Sequence, residues 1–105
     1  MKFVSVYITA KDTKEARAIA RQLLKERLIA CANIIPKIES LYWWRGAIAH
    51  RGEAAIIAKT TKANEKKIIK RVKELHSDKV PCVVFWSISN GNKDYLDWIN
   101  KETKR

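Results

Sequence analysis

An α+β fold in a single domain is predicted by three observations on the sequence. Segments of strand and helix periodicity follow one another in the order strand, helix, strand, strand, helix, strand, with a short helix at the end. The two strand–helix–strand halves are joined by what reads as one long, bent hairpin, which is the layout of a split β-α-β, ferredoxin-like fold. At 105 residues there is material for one modest core, and no linker or low-complexity stretch interrupts the pattern. A core of this size has little to spare, which makes assembly into an oligomer a reasonable expectation.

The elements follow in order. Lys2 to Thr9 alternates, with Val4, Val6 and Ile8 on an aliphatic core face and Phe3, Ser5, Tyr7 and Thr9 on the other. Asp12 and Glu15 have capping-box spacing, and Ala16, Ile19, Ala20, Leu23, Leu24 and Leu28 then recur at helical intervals, so an amphipathic helix is expected to end near Arg27. Cys31 to Trp44 is strand-like but too long to run straight. Pro36 cannot donate a ladder hydrogen bond, so a bulge or an edge position is expected there. Arg45-Gly46 or Arg51-Gly52 supplies the hairpin turn, and Ala54 to Thr60 returns. A second helix is expected from about Lys62 to His76 on the stripe Ile68, Ile69, Val72 and Leu75, and a fourth strand over Val83 to Ser89. Asn90-Gly91-Asn92 is a turn and cap signal before a terminal helix carrying Tyr95, Leu96, Trp98 and Ile99.

In this layout both main helices cover one sheet face. The opposite face must be solvated or covered by another subunit, and Phe3, Tyr7 and several tryptophans are expensive to leave in water. Each contributes about 1.5–3 kcal/mol when buried, which favours assembly through the sheet face.

Composition excludes several function classes. There is no run of about 18 apolar residues and the N-terminus leads directly into strand alternation, so neither a membrane span nor a signal peptide is expected and the compartment is the cytoplasm. Cys31 and Cys82 lack C-x-x-C spacing and read as reduced thiols. The net charge is +11. Residues 1–52 hold ten Lys and Arg against four acids and residues 53–105 hold twelve against seven, so the charge is spread along the chain. That suits a solvated, heat-adapted, thermostable surface, and nucleic acid is not the expected partner. Glycine occurs only at 46, 52 and 91, no phosphate-cradling loop can be built, and no nucleophile motif is present, so an enzyme is not expected.

One place could hold a metal. His76 closes the second helix and leads to Val80-Pro81-Cys82, and a neutral imidazole with the Asp78 carboxylate and the Cys82 thiolate suits copper or zinc. The competing reading is that His76 and Asp78 cap the chain here and Cys82 is buried. Cys31 reads as a small hydrophobe between alanines, and His50 as exposed near the hairpin tip.

A series of motifs spans nearly the whole chain: C-A-N-I-I-P at Cys31 to Pro36, S-L-Y-W-W-R-G at Ser40 to Gly46, K-T-T at Lys59 to Thr61, L-H-S-D-K-V-P at Leu75 to Pro81, and N-G-N-K-D-Y-L-D-W-I at Asn90 to Ile99. In these the chain resembles the CutA family of divalent-cation tolerance proteins. The resemblance implies a homotrimer with hairpins paired along subunit edges, a role in the response to metal ions, and copper or other divalent-metal binding near His76. Where family members often carry a tyrosine and a glutamate after that histidine, this chain has Asp78 and Cys82, and Ile8 stands where some place a copper-linked cysteine. The resemblance also implies that Tyr42, Trp44, Lys59 and Trp98 face a cleft between subunits. That cleft is comparable to the ligand clefts of P-II type signalling trimers, where aromatic walls with a lysine suit a small anionic or planar ligand. The alternative for these four residues is subunit packing.

Overall fold

The computed structural model describes residues 2–104. Strand β1 (Phe3–Ala10) leads into α1 (Thr13–Lys25), followed by β2 (Cys31–Trp44), β3 (Ala47–Thr61), a 3-10 turn at Lys62–Asn64, α2 (Glu65–Leu75), β4 (Val83–Ile88) and α3 (Lys93–Glu102). The four strands form one sheet in the order β2-β3-β1-β4, antiparallel throughout. This is the ferredoxin-like layout read from the sequence. No helix among the described residues is long and apolar enough to cross a membrane.

Alternation assigns the two sheet faces. Val4, Val6, Ile8 and Ala10 are fully buried beneath the helices, and their register partners Ala54, Ile56, Ala58 and Thr60 share that face. Ala16, Ile19, Ala20 and Leu23 of α1 and Ile68 and Val72 of α2 close the core from above. Leu24, expected in the α1 stripe, is 37% exposed, because the four residues before it already fill the contact arc and Leu28 closes its end.

Several boundaries differ from the sequence reading for local reasons. Helix α1 stops at Lys25, two residues early, in a Schellman motif in which Leu28 N–H reaches Leu23 O and Arg27 N–H reaches Leu24 O, each at 3.0 Å. Arg27 takes the left-handed position (φ 61°) where glycine is usual, and its guanidinium is held by Glu102 at 2.8 Å. Helix α2 starts three residues late, after the 3-10 turn. The hairpin turns at Arg45 (φ 51°) and Gly46 (φ 81°), a two-residue connection with both residues left-handed. Arg51-Gly52, the other candidate turn, lies inside β3, which begins at Ala47 and is correspondingly longer than expected. The ladder shifts register between Ile35 and Ile38, so Pro36 sits in a bulge on an edge strand.

The buried polar side chains at the end of β3 are paired. Thr60 Oγ1 donates to Leu28 O at 2.6 Å, and Asn64 Nδ2 donates to the same carbonyl at 3.3 Å and to Thr60 Oγ1 at 3.1 Å. This network fastens the segment after α1 to the end of β3.

The second face carries Phe3 and Tyr7 of β1, Ile57 of β3 and Val84, Trp86 and Ile88 of β4. Trp86 is 56% exposed and meets Tyr7 edge to face at 5.7 Å. Cys31 and Lys59 also point this way by register. The Cys31 thiol lies 3.3 Å from the Tyr95 hydroxyl, so α3 covers this face at its β2–β3 end and leaves the β1–β4 end open.

The two glycines of the hairpin should respond differently to substitution. Gly46→Ala is expected to cost about 1 kcal/mol, since a side chain is strained at a left-handed position. Gly52→Ala, in an extended strand with open space around it, should stay within about 0.5 kcal/mol. Denaturant titrations of the two variants check this.

Candidate functional site

The segment from His76 to Cys82 runs from α2 to β4 beside the end of β1. His76 is the C-cap of α2, and its side chain is fully buried. Its Nε2 lies 2.7 Å from Thr9 O, a group that only accepts, so Nε2 carries the proton and donates. That leaves Nδ1 as an acceptor, and it takes the Asp78 N–H at 2.9 Å. Both ring nitrogens are therefore engaged with backbone.

Glu15 clamps the same segment to the start of α1. The Asp12 cap accepts from Glu15 N at 2.8 Å, while the Glu15 carboxylate accepts from Lys11 N at 3.1 Å and from Ser77 N at 2.9 Å. Burial pushes the Glu15 carboxyl up, but these bonds hold it below its ordinary value of 4.5.

Arg51 organises the neighbouring carboxylates. Its Nη2 donates to Glu53 at 2.9 Å and to Asp78 at 2.7 Å, and these two bonds hold the guanidinium firmly charged. Glu53 is 9% exposed, so Arg51 is the compensating charge that allows it there. The Arg51 Nε is buried and has no hydrogen-bond partner among the described residues. Cys82 is half-buried, and burial pushes its thiol up, reinforced by the Glu53 carboxylate and opposed by a hydrogen bond with Thr9. A groove of about 850 Å³ opens here, with Tyr42, Trp44 and Arg45 of the hairpin on one side and Asp78, Lys79 and Cys82 on the other.

The structure brings Asp78 and Cys82 to one groove wall, as the sequence suggested, but turns the His76 ring away to Thr9 and ties Asp78 to Arg51. Among the described residues no three His, Cys, Asp or Glu side chains gather to hold a metal ion. A single protomer therefore does not assemble the expected His76, Asp78 and Cys82 ligand set, because the imidazole lone pair is taken by the Asp78 N–H. His50 lies exposed on the hairpin, 3.1 Å from Glu39.

The aromatic group divides. Tyr42 and Trp44 line the groove, whereas Lys59 pairs with Cys31, and Trp98 packs on Tyr95 with ring centroids 5.5 Å apart. Eleven residue steps along β2, roughly 35 Å, separate Tyr42 from Cys31. Within one protomer these four residues cannot line one cleft. Cys31 is more than a small hydrophobe, since its bond with the Tyr95 phenol pushes that group up to about 12. The sequence reading passed over Arg51 and Glu53. Their i, i+2 spacing on a strand puts opposite charges on one face and was the available signal.

Glu15 makes the site sensitive to acid in a defined direction. Because its folded value is lowered, its stabilisation is present above about pH 4.5 and is lost as pH falls through the folded value. The stability difference between wild type and Glu15→Gln should be largest near neutrality and shrink below pH 4.5, as read by denaturant melts across that range.

Comparison with known proteins bears on all of these residues at once. The family model for the CutA1 divalent ion tolerance protein matches residues 4–102. The divalent-cation tolerance protein CutA of Thermus thermophilus is 42% identical over 98 residues, covering 93% of this chain and 95% of that one. The rice CutA1 crystal structure superposes with a TM-score of 0.96 at 34% identity, covering 99% of this chain and 95% of the rice chain. The Archaeoglobus fulgidus protein, described as a periplasmic divalent cation tolerance protein CutA, gives 0.95 at 38% identity over 97% and 99% of the two chains. Matched by the family model over residues 4–102, and by relatives that share about two fifths of its residues along nearly their whole length, the chain belongs to the CutA1 divalent ion tolerance family.

Proposed function

We propose that this chain serves divalent-cation tolerance as a cytoplasmic homotrimer that binds copper or another divalent metal ion, and that it is not an enzyme. Family membership across residues 4–102 supports the tolerance role. The observation that carries assembly is the uncovered apolar surface. Trp86 on the sheet face and Leu41, Trp43 and Ile48 on the hairpin are each more than half exposed in the protomer. Sheet faces packed inward, with each hairpin lying along a neighbour's edge strand, cover those side chains and occupy the free ladder groups of β2.

The donor on offer to a cation is the soft thiol of Cys82, because the Asp78 and Glu53 carboxylates beside it are already paired with Arg51. The protomer leaves such a site incomplete, and a neighbouring subunit supplies the remaining ligands. His76 contributes by holding the Asp78 backbone. A metal must displace the Cys82 proton, so binding strengthens with rising pH. With both ring nitrogens engaged, His76 is in no position to activate Cys82 as a nucleophile, which supports a non-enzymatic role. Two free thiols, Cys31 and Cys82, support a reducing compartment.

Native mass spectra recorded with increasing copper or zinc test this reading. The expected result is a trimer taking up ions in multiples of three, weakened about tenfold or more by Cys82→Ser. A trimer carrying only scattered adducts removes the metal site.

One observation favours a second reading, a signalling or scaffold trimer that binds a small anionic metabolite. Tyr42 and Trp44 share the groove with Arg45, Arg51 and Lys79, so aromatic walls and cations meet there alongside the carboxylates of Glu39, Glu53 and Asp78, two of which are already held by Arg51. A ligand-induced rise in melting temperature that disappears in Tyr42→Ala is the expected outcome. No shift across a broad metabolite panel eliminates it.

A further inference from the structure

The charge that is spread along the sequence is not spread in space. Helices α1 and α2 lie on the same sheet face and touch each other, and Arg71 of α2 is bonded to Glu26 at 2.8 Å. Together these 24 residues hold nine Lys and Arg against three Glu, so they supply +6 of the net +11.

Helical geometry aims these charges outward. At 100° per residue, Lys14, Arg17, Arg21 and Lys25 fall on one stripe of α1, directly opposite buried Ala16, Ile19, Ala20 and Leu23. On α2, Lys66, Lys67, Lys70 and Lys73 lie opposite buried Ile68 and Val72. All eight are exposed, and none has an ion-pair partner among the described residues. The acids of the layer are committed elsewhere. Glu15 binds Lys11 N and Ser77 N, Glu65 pairs with Lys62, and Glu74 pairs with Arg71. This is not the interleaved pattern of a surface stabilised by ion-pair networks.

We propose that the outer surface of the α1–α2 layer is a docking surface for the phosphate backbone of double-helical DNA. Successive α1 cations are about 4.5–6 Å apart along an axis row of about 16 Å, which presents a line of charge to a line of phosphates. The layer has no exposed aromatic side chain on which to stack an unpaired base, which favours a duplex over a single strand. Its only large exposed apolar side chain is Leu24, and the apolar faces of both helices are already buried in the core, so nothing inserts into a lipid surface. Binding through phosphates alone is independent of sequence.

Fluorescence anisotropy of the full chain with a mixed-sequence 30-base-pair duplex, from 50 to 300 mM KCl, tests the proposal. Binding should persist at 150 mM with a log–log salt slope of about −4 or steeper. The variant Lys14→Glu/Arg21→Glu/Lys66→Glu/Lys70→Glu should lose at least about tenfold in affinity, with the slope shallower by about one for each contact removed. A control of equal charge change, Lys37→Glu/Lys79→Glu/Lys101→Glu/Lys104→Glu, should lose much less. Thermal melts confirm folding, and if the glutamate variant does not fold, the glutamine series at the same positions gives the comparison. Binding that vanishes at 150 mM, equal losses in variant and control, or tighter binding to a single strand or to anionic phosphatidylserine vesicles each overturns the proposal.

Discussion

Two helices can cover only one face of a four-stranded sheet, and this constraint organises the rest of the molecule. The strands β1, β3 and β4 carry apolar side chains on both faces, so the side opposite α1 and α2 presents Tyr7, Ile57, Val84 and Trp86, beside Ser5 and Lys59, with no main helix to receive them. The third helix covers the β2–β3 end through Cys31 and Tyr95 and leaves the rest open. The hairpin extends the same imbalance beyond the core, where Trp43 is 74% exposed. A protomer 45 Å long and about half as wide follows from this, with its outer layer charged and its inner layer apolar.

The groove beside β1 is built by a different balance, that of burying charge. Glu53 lies inward on a strand and is tolerated because Arg51, two residues away on the same face, meets it and Asp78 together. Asp78 is in turn held by its backbone N–H on His76, and His76 by the carbonyl of Thr9. The segment between α2 and β4 is thus tied to β1, to α1 through Glu15 and to β3 through Arg51. A segment without regular structure is fixed in place because its polar groups are paired in three directions.

The same division of labour explains the distribution of cations. Residues facing the core on α1 and α2 are aliphatic or alanine, so every Lys and Arg these helices carry must point away from the sheet or lie at its rim. With the acids of both helices used in caps and bridges, the outer layer retains an uncompensated positive field.

Much of the fold was legible in the amino-acid sequence. The period-2 alternation of β1, the stripes of α1 and α2 and the proline in β2 reflect burial and backbone chemistry that act within a few residues. The motif series marked the family. What the sequence alone did not determine depended on distant partners. Arg45-Gly46 and Arg51-Gly52 were equal candidates for the turn, and pairing of Gly52 with Glu39 decided it. Arg27 ends α1 without glycine because Glu102, far along the chain, holds it. His76 read as a possible ligand because its type and position suit a metal, and only the positions of Thr9 O and the Asp78 N–H showed where its nitrogens are used. Charge counted along the chain looked even, and it became one-sided when two helices of the same pattern were laid on one face. Local periodicity belongs to the sequence, whereas which polar atoms meet and which charges share a surface belong to the tertiary structure, because those depend on residues brought together only by folding.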